Sequence, residues 1–478
     1  MSKGNRISAP FVALAIGLVA IPGPSIAQTL QESLTEAYAG NPRLLSERAA
    51  LRAVDEGVPT ALSGWRPTVE VNGSVGKSYT ANEAAATGLI SSNSTLPSAA
   101  GINLSQPLYR GGATVAETEA AESRVLAGRA NLVDVEQQVL VAAATAYMNV
   151  VRDQSVIELN INNEKVLQRQ LQATGDRFEV GEVTRTDVSQ AEARLADALA
   201  SRIEAEGNLD ISRANYERFV GSPPGLLTFP DRSGAALLPD SSDSAESTAL
   251  ERNPVVLRAG FNERAALHDI SAAGAQLLPN VSLDGSAQRS LDPNSFFSQS
   301  DSASLTANVR IPLYQSGSEY ARIRELRQVA VQRRRELDEA RREALEGVSE
   351  SWERLQTSAA RIRAFESSVR ANEIALEGVE QEAAVGARTV LDVLDAEQEL
   401  FEARVTLVRE QASEVVFAFE LLQVVGKMVA RDLGLPTDLY DPTLYYDQVR
   451  DKWIGFGEDY SGTNPLNFES DIRDVGEE

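Results

Sequence analysis

The chain has no cysteine and only one histidine, His268, in 478 residues. Without cysteine there is no disulfide framework, no thiolate metal site, no cysteine nucleophile and no N-terminal cysteine to carry a lipid anchor. His268 stands in a helical segment without a metal-ligand pattern, and the sequence has no phosphate-binding glycine loop or nucleophile elbow. We therefore expect a protein that is not an enzyme and that needs no metal and no cofactor.

Basic residues are scarce relative to acidic ones: 45 Lys and Arg stand against 69 Asp and Glu, a net charge of -24. Phosphate contacts require a dense basic surface, so we expect no nucleic-acid partner. Two basic clusters, at residues 333–335 and 341–342, are interleaved with Asp and Glu. We interpret them as a solvated face of a helix.

Long apolar runs are also missing after the N-terminus, where no segment approaches the ~18 residues of a membrane-spanning helix. The first 27 residues have the pattern of an export signal: Lys3 and Arg6, an apolar run over 10–21, and a small-x-small site at 25–27. We predict cleavage after Ala27 and an exported chain. The alternative, a membrane anchor, is disfavoured because the apolar run is too short to span a bilayer. A membrane segment in the remaining chain would have to be β-strand.

An internal duplication organises the chain. Asn41-Pro42 recurs as Asn253-Pro254, and three later motifs recur at a constant, slightly shorter interval. The later pairs are Pro107-Leu108-Tyr109 with Pro312-Leu313-Tyr314, Val180-Gly181 with Val385-Gly386, and Asp187-Val188 with Asp392-Val393. The second copy is therefore shorter between its Asn-Pro motif and the later motifs. We expect the stretch that differs in length to be an exposed loop.

This duplication predicts the domain organisation. We expect a signal peptide at 1–27, a first structural repeat at 28–221, a linker at 222–241 and a second repeat at 242–426. A C-terminal tail at 427–478 follows, which belts the middle of the molecule or stays partly mobile.

Each repeat contains two runs in which apolar and polar residues alternate strictly. The runs cover residues 69–75, 102–105, 281–287 and 303–311. One apolar and one polar face over about ten residues is typical of a transmembrane strand, and the alternative is a half-exposed strand of a soluble sheet. Four strands cannot close a barrel, and an open edge in lipid leaves backbone groups unsatisfied. A transmembrane barrel must then be shared between subunits.

The remaining length is helical. From Gly112 to Gly181, and again from Gly317 to Gly386, the intervening residues contain no proline, which predicts helices of roughly 100 Å. The return to Gly221 or Gly426 is shorter, about 60 Å. Residues 42–63 supply the missing ~30 Å if they stack end to end on the first return helix. Ala and Leu in a heptad pattern predict that these helices pack as coiled coils.

The turns at Gly181 and Gly386 carry the polar residues of most interest. Thr184-x-x-Asp187 and Thr389-x-x-Asp392 have the form of helix N-caps. For Asp187 we keep a second interpretation open, a functional contact at the tip. Asp392 and Asp395 share one helix face, where like charges are locally unfavourable. Such crowded carboxylates should titrate as a coupled group with some pKa values raised.

Four segments together resemble the TolC family of bacterial outer-membrane channels. They are residues 144–150 (ATAYMNV), the run from 177 to 181 (RFEVG) that leads to Thr186-Asp187-Val188, the Pro-Leu-Tyr-x-x-Gly turn, and residues 385–396 (VGARTVLDVLDA). The resemblance extends over about residues 30–430. It implies a mixed α and β fold in which a homotrimer forms a twelve-stranded transmembrane β-barrel, four strands per subunit, continued by a long periplasmic α-helical coiled-coil barrel.

The resemblance also implies a location and partners. The barrel would sit in outer-membrane lipid and the helical part in the periplasm. The channel would be the exit duct of a tripartite efflux pump or a type I secretion system. A periplasmic adaptor protein would join it to an inner-membrane transporter of RND or ABC type. The alternative function, from a different class, is a structural coiled-coil protein of the cell envelope without a channel.

The family's functional residues transfer to the two turns. Asp392 and Asp395 match the acidic ring at the periplasmic constriction, which makes such a pore cation-selective. A gate-closing network is matched by Arg388, Thr186, Asp187, Gln170 and Glu380. In it Arg388 corresponds to the lock arginine with Thr186 and Asp187 as partners, and Gln170 and Glu380 form a further link. The sequence departs from the family at Ala383, where a tyrosine is expected, so the lock should differ on that side.

Overall fold

The computed structural model describes residues 28–83, 87–230, 237–294 and 297–456, so the predicted signal peptide lies outside the described residues. The helices are α1 Leu30–Gly40, α2 Pro42–Asp55, α3 Gly57–Leu62, α4 Ala113–Glu179, α5 Arg185–Val220, α6 Ser242–Arg252, α7 Pro254–Ala275, α8 Ser318–Ala384, α9 Val390–Val424 and α10 Leu444–Val449. The strands are β1 Thr68–Val75, β2 Ser78–Glu83, β3 Ile90–Thr95, β4 Ser98–Arg110, β5 Asn280–Asn294 and β6 Phe297–Arg310.

The elements recur at the same intervals as the sequence motifs. Helices α6 and α7 repeat α1 and α2 at the interval of the Asn-Pro pairs, and α8 and α9 repeat α4 and α5 at the interval of the later motifs. Both long helices follow a glycine in the left-handed conformation, Gly112 with φ +86° and Gly317 with φ +83°. The chain therefore builds one supersecondary unit twice: short helices, a β-hairpin and a long helical hairpin.

A four-stranded antiparallel sheet joins the two units in the order β1-β4-β5-β6. Strands β4 and β5 meet across the repeats, with Ile102 opposite Ala287 and Leu104 opposite Gly285. The four alternating runs lie in these strands, as predicted, except that Ile311 stands just past the end of β6. Their apolar face is open: Val71 on β1 is 79% exposed and Leu305 on β6 is 70% exposed. No described part of the chain covers this face.

One prediction for the first hairpin is wrong. The Ser- and Asn-rich stretch beyond β1, expected to be a loop, contains the two-stranded ribbon β2-β3, with Ser78 opposite Thr95 and Glu83 opposite Ile90. Most of its residues are polar and its larger apolar ones, Tyr79 and Ile90, are exposed, so backbone hydrogen bonds hold it where side-chain burial does not. The extra residues of the first repeat thus extend a hairpin.

The helical region is built around α4. Helices α4 and α8 have 67 residues each, or roughly 100 Å, and α5 and α9 return beside them with 36 and 35 residues. Helix α4 packs against α5, α7 and α9, whereas α8 packs against α9 and α7. The expected heptad positions are occupied as predicted: Ala191, Ala198 and Leu209 on α5 are buried.

The predicted end-to-end stacking of short and return helices has a defined joint in each repeat. Asn41 Nδ2 donates to the carbonyl of Phe219 near the end of α5 at 2.9 Å, and Asn253 Nδ2 donates to that of Val424 on α9 at 2.9 Å. Each Asn side-chain oxygen caps the helix that begins at the following proline. The Asn-Pro motifs found in the sequence are these joints.

The continuous helix expected over 42–63 is broken. It divides into α2 and α3 at Glu56 and ends in a 3-10 turn, Ser63–Trp65. No side chain caps α3. The three pieces still follow one line beside α4, against which both α2 and α3 pack.

The main hydrophobic core lies where α1, α4, α5 and the C-terminal segment meet. Tyr147 and Tyr216 are its largest fully buried residues. The Tyr147 hydroxyl donates to the Thr228 carbonyl at 2.6 Å, and the Tyr216 hydroxyl lies 2.7 Å from Ser33 Oγ. Tyr147 is thus a packing residue. Its counterpart in the second repeat, Trp352, is only half-buried.

Residues 435–456 of the tail form a strap along the short helices of the first repeat, from Tyr38 in α1 to Arg66 before β1. Tyr440 N donates to Tyr38 Oη at 3.0 Å, and Arg48 lies over the rings of Tyr38 and Tyr440, 4.7 and 5.0 Å from the centroids. Farther along, Tyr445 Oη donates to Glu56 Oε1 at 2.7 Å. Arginine–aromatic contacts and hydroxyl hydrogen bonds therefore hold the strap to α1, α2 and the turn after α2.

The basic clusters lie on the exposed face of α8. Arg333 pairs with Glu336 at 2.7 Å and Arg335 with Asp338 at 3.0 Å, each within one turn. These contacts confirm the interpretation of a solvated face. Among the described helices, none combines the length and apolar character that crossing a membrane requires.

Candidate functional site at the hairpin tips

The two tips share a tight backbone turn. Gly181 (φ +83°) and Gly386 (φ +78°) take the left-handed conformation that ends α4 and α8. In each tip the glycine N–H bonds a carbonyl three residues back, and the next N–H bonds one five residues back, Arg177 in one tip and Glu382 in the other. A helix end closed in this way reverses the chain in few residues. The return helix therefore begins beside the end of the long one.

Both return helices begin with a capping box, which confirms the capping interpretation. Asp187 Oδ2 accepts from Thr184 N at 2.7 Å and from Thr184 Oγ1 at 2.8 Å. Asp392 accepts the same two bonds from Thr389, both at 2.8 Å. These bonds hold the pKa of both carboxyl groups below the ordinary value, and at Asp392 the positive charge of Arg388 adds to the effect.

The lowered pKa of Asp392 is opposite to the shift expected from crowded carboxylates. Within one chain the cap decides the direction, because hydrogen bonds from Thr389 stabilise the charged form. The coupling expected for a ring of six carboxylates would have to arise between chains, so it stays a prediction.

Asp395 contacts the other hairpin. Its Oδ1 accepts from Arg194 Nη2 on α5 at 2.6 Å, and both side chains are partly exposed. Asp392 and Asp395 lie one turn apart on α9, as the sequence predicted, but their partners differ. Asp392 stabilises its own helix, while Asp395 links α9 to α5 across the two repeats.

Arg388 lies in its own tip. Its Nε donates to Glu382 Oε2 at 2.8 Å, and this contact raises the pKa of the guanidinium. Within the described chain Arg388 contacts neither Thr186 nor Asp187. Thr186 is exposed at the first tip, and Asp187 is engaged in its cap. The three residues predicted for the lock are therefore not joined within one chain.

Gln170 and Glu380 are also apart in the described chain. Gln170 is half-buried on α4 and Glu380 is exposed on α8. Glu380 instead acts on Glu397 of α9: burial first, and then the charge of Glu380, raises the pKa of Glu397. Arg404 and Arg169 oppose that shift. The negative charges of Glu380 on α8 and Glu397 on α9 thus act on each other above the tip, beyond Asp392 and Asp395.

A small apolar cluster holds the hairpins together just above the tips. It consists of Leu167 on α4, Ala191 and Ala198 on α5, and Val390 and Leu394 on α9. The Arg194–Asp395 pair lies on the same helices α5 and α9. Apolar packing and one ion pair therefore join the two repeats at this end.

Three residues of this region were not identified from the sequence: Arg194, Glu382 and Glu397. Arg194 follows Asp187 by one heptad and stands beside the Ala191–Ala198 stripe, a position from which a contact to a facing helix is expected. Glu382 faces Arg388 across the turn, whereas in the first tip Arg177 faces Glu182 at 3.9 Å. At Ala383, where the family pattern has tyrosine, only the backbone takes part: its carbonyl accepts from Gly386 N.

The comparisons with known proteins agree with this architecture. The family model described as outer membrane efflux protein matches residues 34–222 and 246–427. The outer membrane efflux protein BepC of Brucella suis is 34% identical over 445 residues, which cover 92% of this chain and 95% of BepC. The outer membrane protein TolC of Vibrio cholerae is 27% identical, over 88% of this chain and 96% of TolC.

A solved structure shows the same fold. The outer membrane protein VceC from Vibrio cholerae superimposes with a TM-score of 0.72 at 19% identity, covering 83% of this chain and 96% of VceC. The resemblance to TolC-type channels stated from the sequence is confirmed. The chain belongs to the family of outer membrane efflux proteins.

Proposed function

We propose that three copies of this chain form an exit duct, which carries drugs or proteins from an inner-membrane transporter across the periplasm and the outer membrane. The observation that carries the proposal is the sheet. In the described chain β1 pairs with β4 alone and β6 with β5 alone. Both outer strands thus have a free edge, and the apolar face is open. In hydrocarbon such edges require pairing, which a neighbouring copy supplies.

The number three follows from the strand count together with the family resemblance. Four strands per chain give eight in a dimer and twelve in a trimer, and both lie in the known range of barrels. Helix α8 supports assembly as well, since only 8 of its 67 residues are buried within the chain. A neighbour that covers part of α8 would complete a wall of helices below the barrel.

The tips would form the periplasmic entrance. In the trimer Asp392 and Asp395 would place six carboxylates around the opening, a charge pattern that admits cations and binds multivalent ones. Arg194 offsets part of the charge of Asp395 in this arrangement. Among the described residues, no cationic side chain lies within hydrogen-bonding distance of Asp392. Asp392 should therefore contribute more than Asp395 to the negative potential at the opening.

Closure would depend on Arg388. Its partner within the chain is Glu382. Thr186 is exposed at the first tip, where it would meet the arginine of a neighbouring copy. Docking of a periplasmic adaptor would break these charge-assisted bonds and let the hairpins move apart. The Arg194–Asp395 pair and the apolar cluster above the tips would have to shift with them.

The decisive experiment is conductance in planar bilayers. We expect trimers whose current is blocked by a multivalent cation added from the tip side, and the double variant Asp392→Asn, Asp395→Asn should lose the block. Asp187→Asn, which removes the same cap in the first tip, is the matched control, compared by the fraction of its own current that is blocked, because Asp187 also belongs to the predicted lock. A double variant blocked as strongly as the parent would contradict the acidic ring.

The lock is tested in the same assay. Arg388→Ser should raise the conductance, while Arg177→Ser, which removes the looser pair of the first tip, should change it less. Unchanged conductance in Arg388→Ser would contradict the lock. A monomer without any conductance would instead favour the structural envelope protein.

A further inference from the structure

We propose that the strap ends in a membrane-interface anchor that binds the phospholipid headgroups of the periplasmic leaflet. The anchor consists of Lys452, Trp453, Ile454 and Phe456 together with Arg66. The inference rests on the proposed function, because it requires that the sheet span the outer membrane. It adds a second contact with lipid, made by the C-terminal segment.

The strap runs toward the sheet. Its successive contacts are Tyr38 in α1, then Glu56 after α2, and then Arg66, which lies just before β1 begins. At each contact a hydrogen bond fixes the height of the strap along the short helices. Its described end is therefore held at the base of the sheet, where the apolar face starts.

Arg66 holds this end in two ways. Its Nη1 donates to the carbonyl of Lys452 at 2.7 Å, and its guanidinium lies over the Trp453 ring, 5.2 Å from the centroid. The first contact fixes the backbone and the second fixes the indole. One basic residue therefore orients both the aromatic ring and the chain that follows it.

The anchor exposes large apolar side chains to solvent. Trp453 is 65% exposed, Ile454 90% and Phe456 fully exposed. Earlier strap residues differ, since Tyr440 and Tyr446 pack against arginines of α2 and α4. Among the described residues nothing covers the anchor. Exposed aromatic and aliphatic groups held in one place indicate a binding surface.

Lipid headgroups fit this surface best. Trp and Tyr concentrate at the level of the headgroups, and Lys and Arg beside them attract anionic phospholipid. Further exposed aromatic residues lie at the same end of the sheet: Trp65 just before β1, Tyr109 near the end of β4 and Tyr314 after β6. The anchor thus extends the band of exposed aromatic side chains at this end of the sheet. Because this end adjoins the helices, the leaflet is the periplasmic one.

The chain contains three tryptophans, Trp65, Trp352 and Trp453, which permits a direct test. Two full-length variants retain one each: Trp453 alone (Trp65→Phe, Trp352→Phe) and, as matched control, Trp352 alone (Trp65→Phe, Trp453→Phe). Trp352 lies near the middle of α8, roughly 50 Å from its start. Both are reconstituted in phosphatidylethanolamine and phosphatidylglycerol vesicles containing lipid brominated near the headgroup.

We expect the brominated lipid to quench Trp453 at least threefold more than Trp352. Adding Arg66→Gln to the Trp453 variant should reduce this quenching toward the control. Equal quenching of the two tryptophans, in trimers that still conduct, would overturn the anchor and leave the duct intact. Trp453 shielded from both lipid and aqueous acrylamide would place it against another copy of the chain, which also overturns it. Loss of conductance and trimer in the parent would overturn both proposals.

Discussion

Helices α4 and α8 are the same element of the repeat, yet they differ greatly in burial. Both have 67 residues and both begin after a left-handed glycine. Helix α4 buries 27 residues and α8 buries 8. The reason is position: α4 is surrounded by α5, α7, α9 and the short helices of the first repeat, whereas α8 lies at the side of the molecule.

The difference shows how one duplicated unit serves two purposes. The first copy is rich in Ala and Val at positions that face other helices, and it forms the core. The second copy carries arginine and glutamate along an open face, where ion pairs within one turn satisfy them. The second copy can bury more of its surface only when copies of the chain assemble. Matched substitutions at equivalent positions of the two repeats test this division.

The largest effect is expected at Leu140, which is fully buried on α4. Leu140→Ala should cost about 2–5 kcal/mol, because it leaves a cavity in the core. Its counterpart on α8, Leu345, is half-buried, so Leu345→Ala should cost less than half as much in the detergent-solubilised protein. Chemical denaturation measures both. Equal losses would mean that a neighbouring chain buries α8 as deeply as α4 is buried.

A pH effect is expected at Asp55 on α2, whose two buried carboxylate oxygens have no hydrogen-bond partner among the described residues. Burial raises the pKa of Asp55 from 3.8 to about 6, although the positive charge of Arg129 opposes the shift. Between these values the folded chain keeps a proton that the unfolded chain releases. The contribution to stability is therefore full below pH 3.8 and is lost as pH rises to about 6, at most about 3 kcal/mol.

Asp55→Asn should flatten this dependence, measured as the melting temperature from about pH 4 to pH 8. The equivalent position in the second repeat is Leu267, which is 51% exposed. Leu267→Asp in the Asp55→Asn background is the control, since an exposed carboxylate should not restore the slope. A slope that persists in Asp55→Asn would show that another group titrates.

The smallest effect is expected at a buried polar pair. Ser212 Oγ on α5 donates to Asp153 Oδ2 on α4 at 2.5 Å, inside the packed helices. Ser212→Ala should cost about 1–3 kcal/mol, because it deprives a buried carboxylate of a donor. The residue equivalent to Asp153 is Ser358 on α8, whose buried hydroxyl has no partner among the described residues. Ser358→Ala should be neutral or slightly stabilising, and a clear loss would reveal a partner in the assembly.

The periodic features of the fold were predictable from the sequence. Alternation identified β1, β4, β5 and β6. The spacing of glycines identified the long helices α4 and α8 and the return helices α5 and α9. The β2-β3 ribbon was missed because most of its side chains are polar, so mainly backbone pairing marks it. The break at Glu56 does have a local signal, Gly57 followed by Pro59, because proline has no N–H to donate to the Asp55 carbonyl four residues back, and α2 ends at Asp55.

The candidate site was predictable in part. Local spacing identified the caps at Thr184 and Thr389, because their partners lie three residues away. The Arg194–Asp395 pair joins residues 201 positions apart, and it depends on how two hairpins pack. By resemblance Arg388 was assigned Thr186 and Asp187 as partners within and between subunits, but within one chain it pairs with Glu382 of the same turn. Its contact with a neighbouring copy stays a prediction.

The asparagine joints have a mechanical consequence. Along each repeat the outer line of helices is divided at Asn41 or Asn253, and one side-chain amide spans each division. At the second joint the backbones approach so closely that a Cβ on Gly426 would lie 2.5 Å from the Arg252 carbonyl oxygen. Helices α4 and α8 run past both joints without interruption. Because α4 follows β4 and α8 follows β6, these two unbroken helices connect the tips directly to the sheet, whereas each jointed line of helices reaches it only through its asparagine contact.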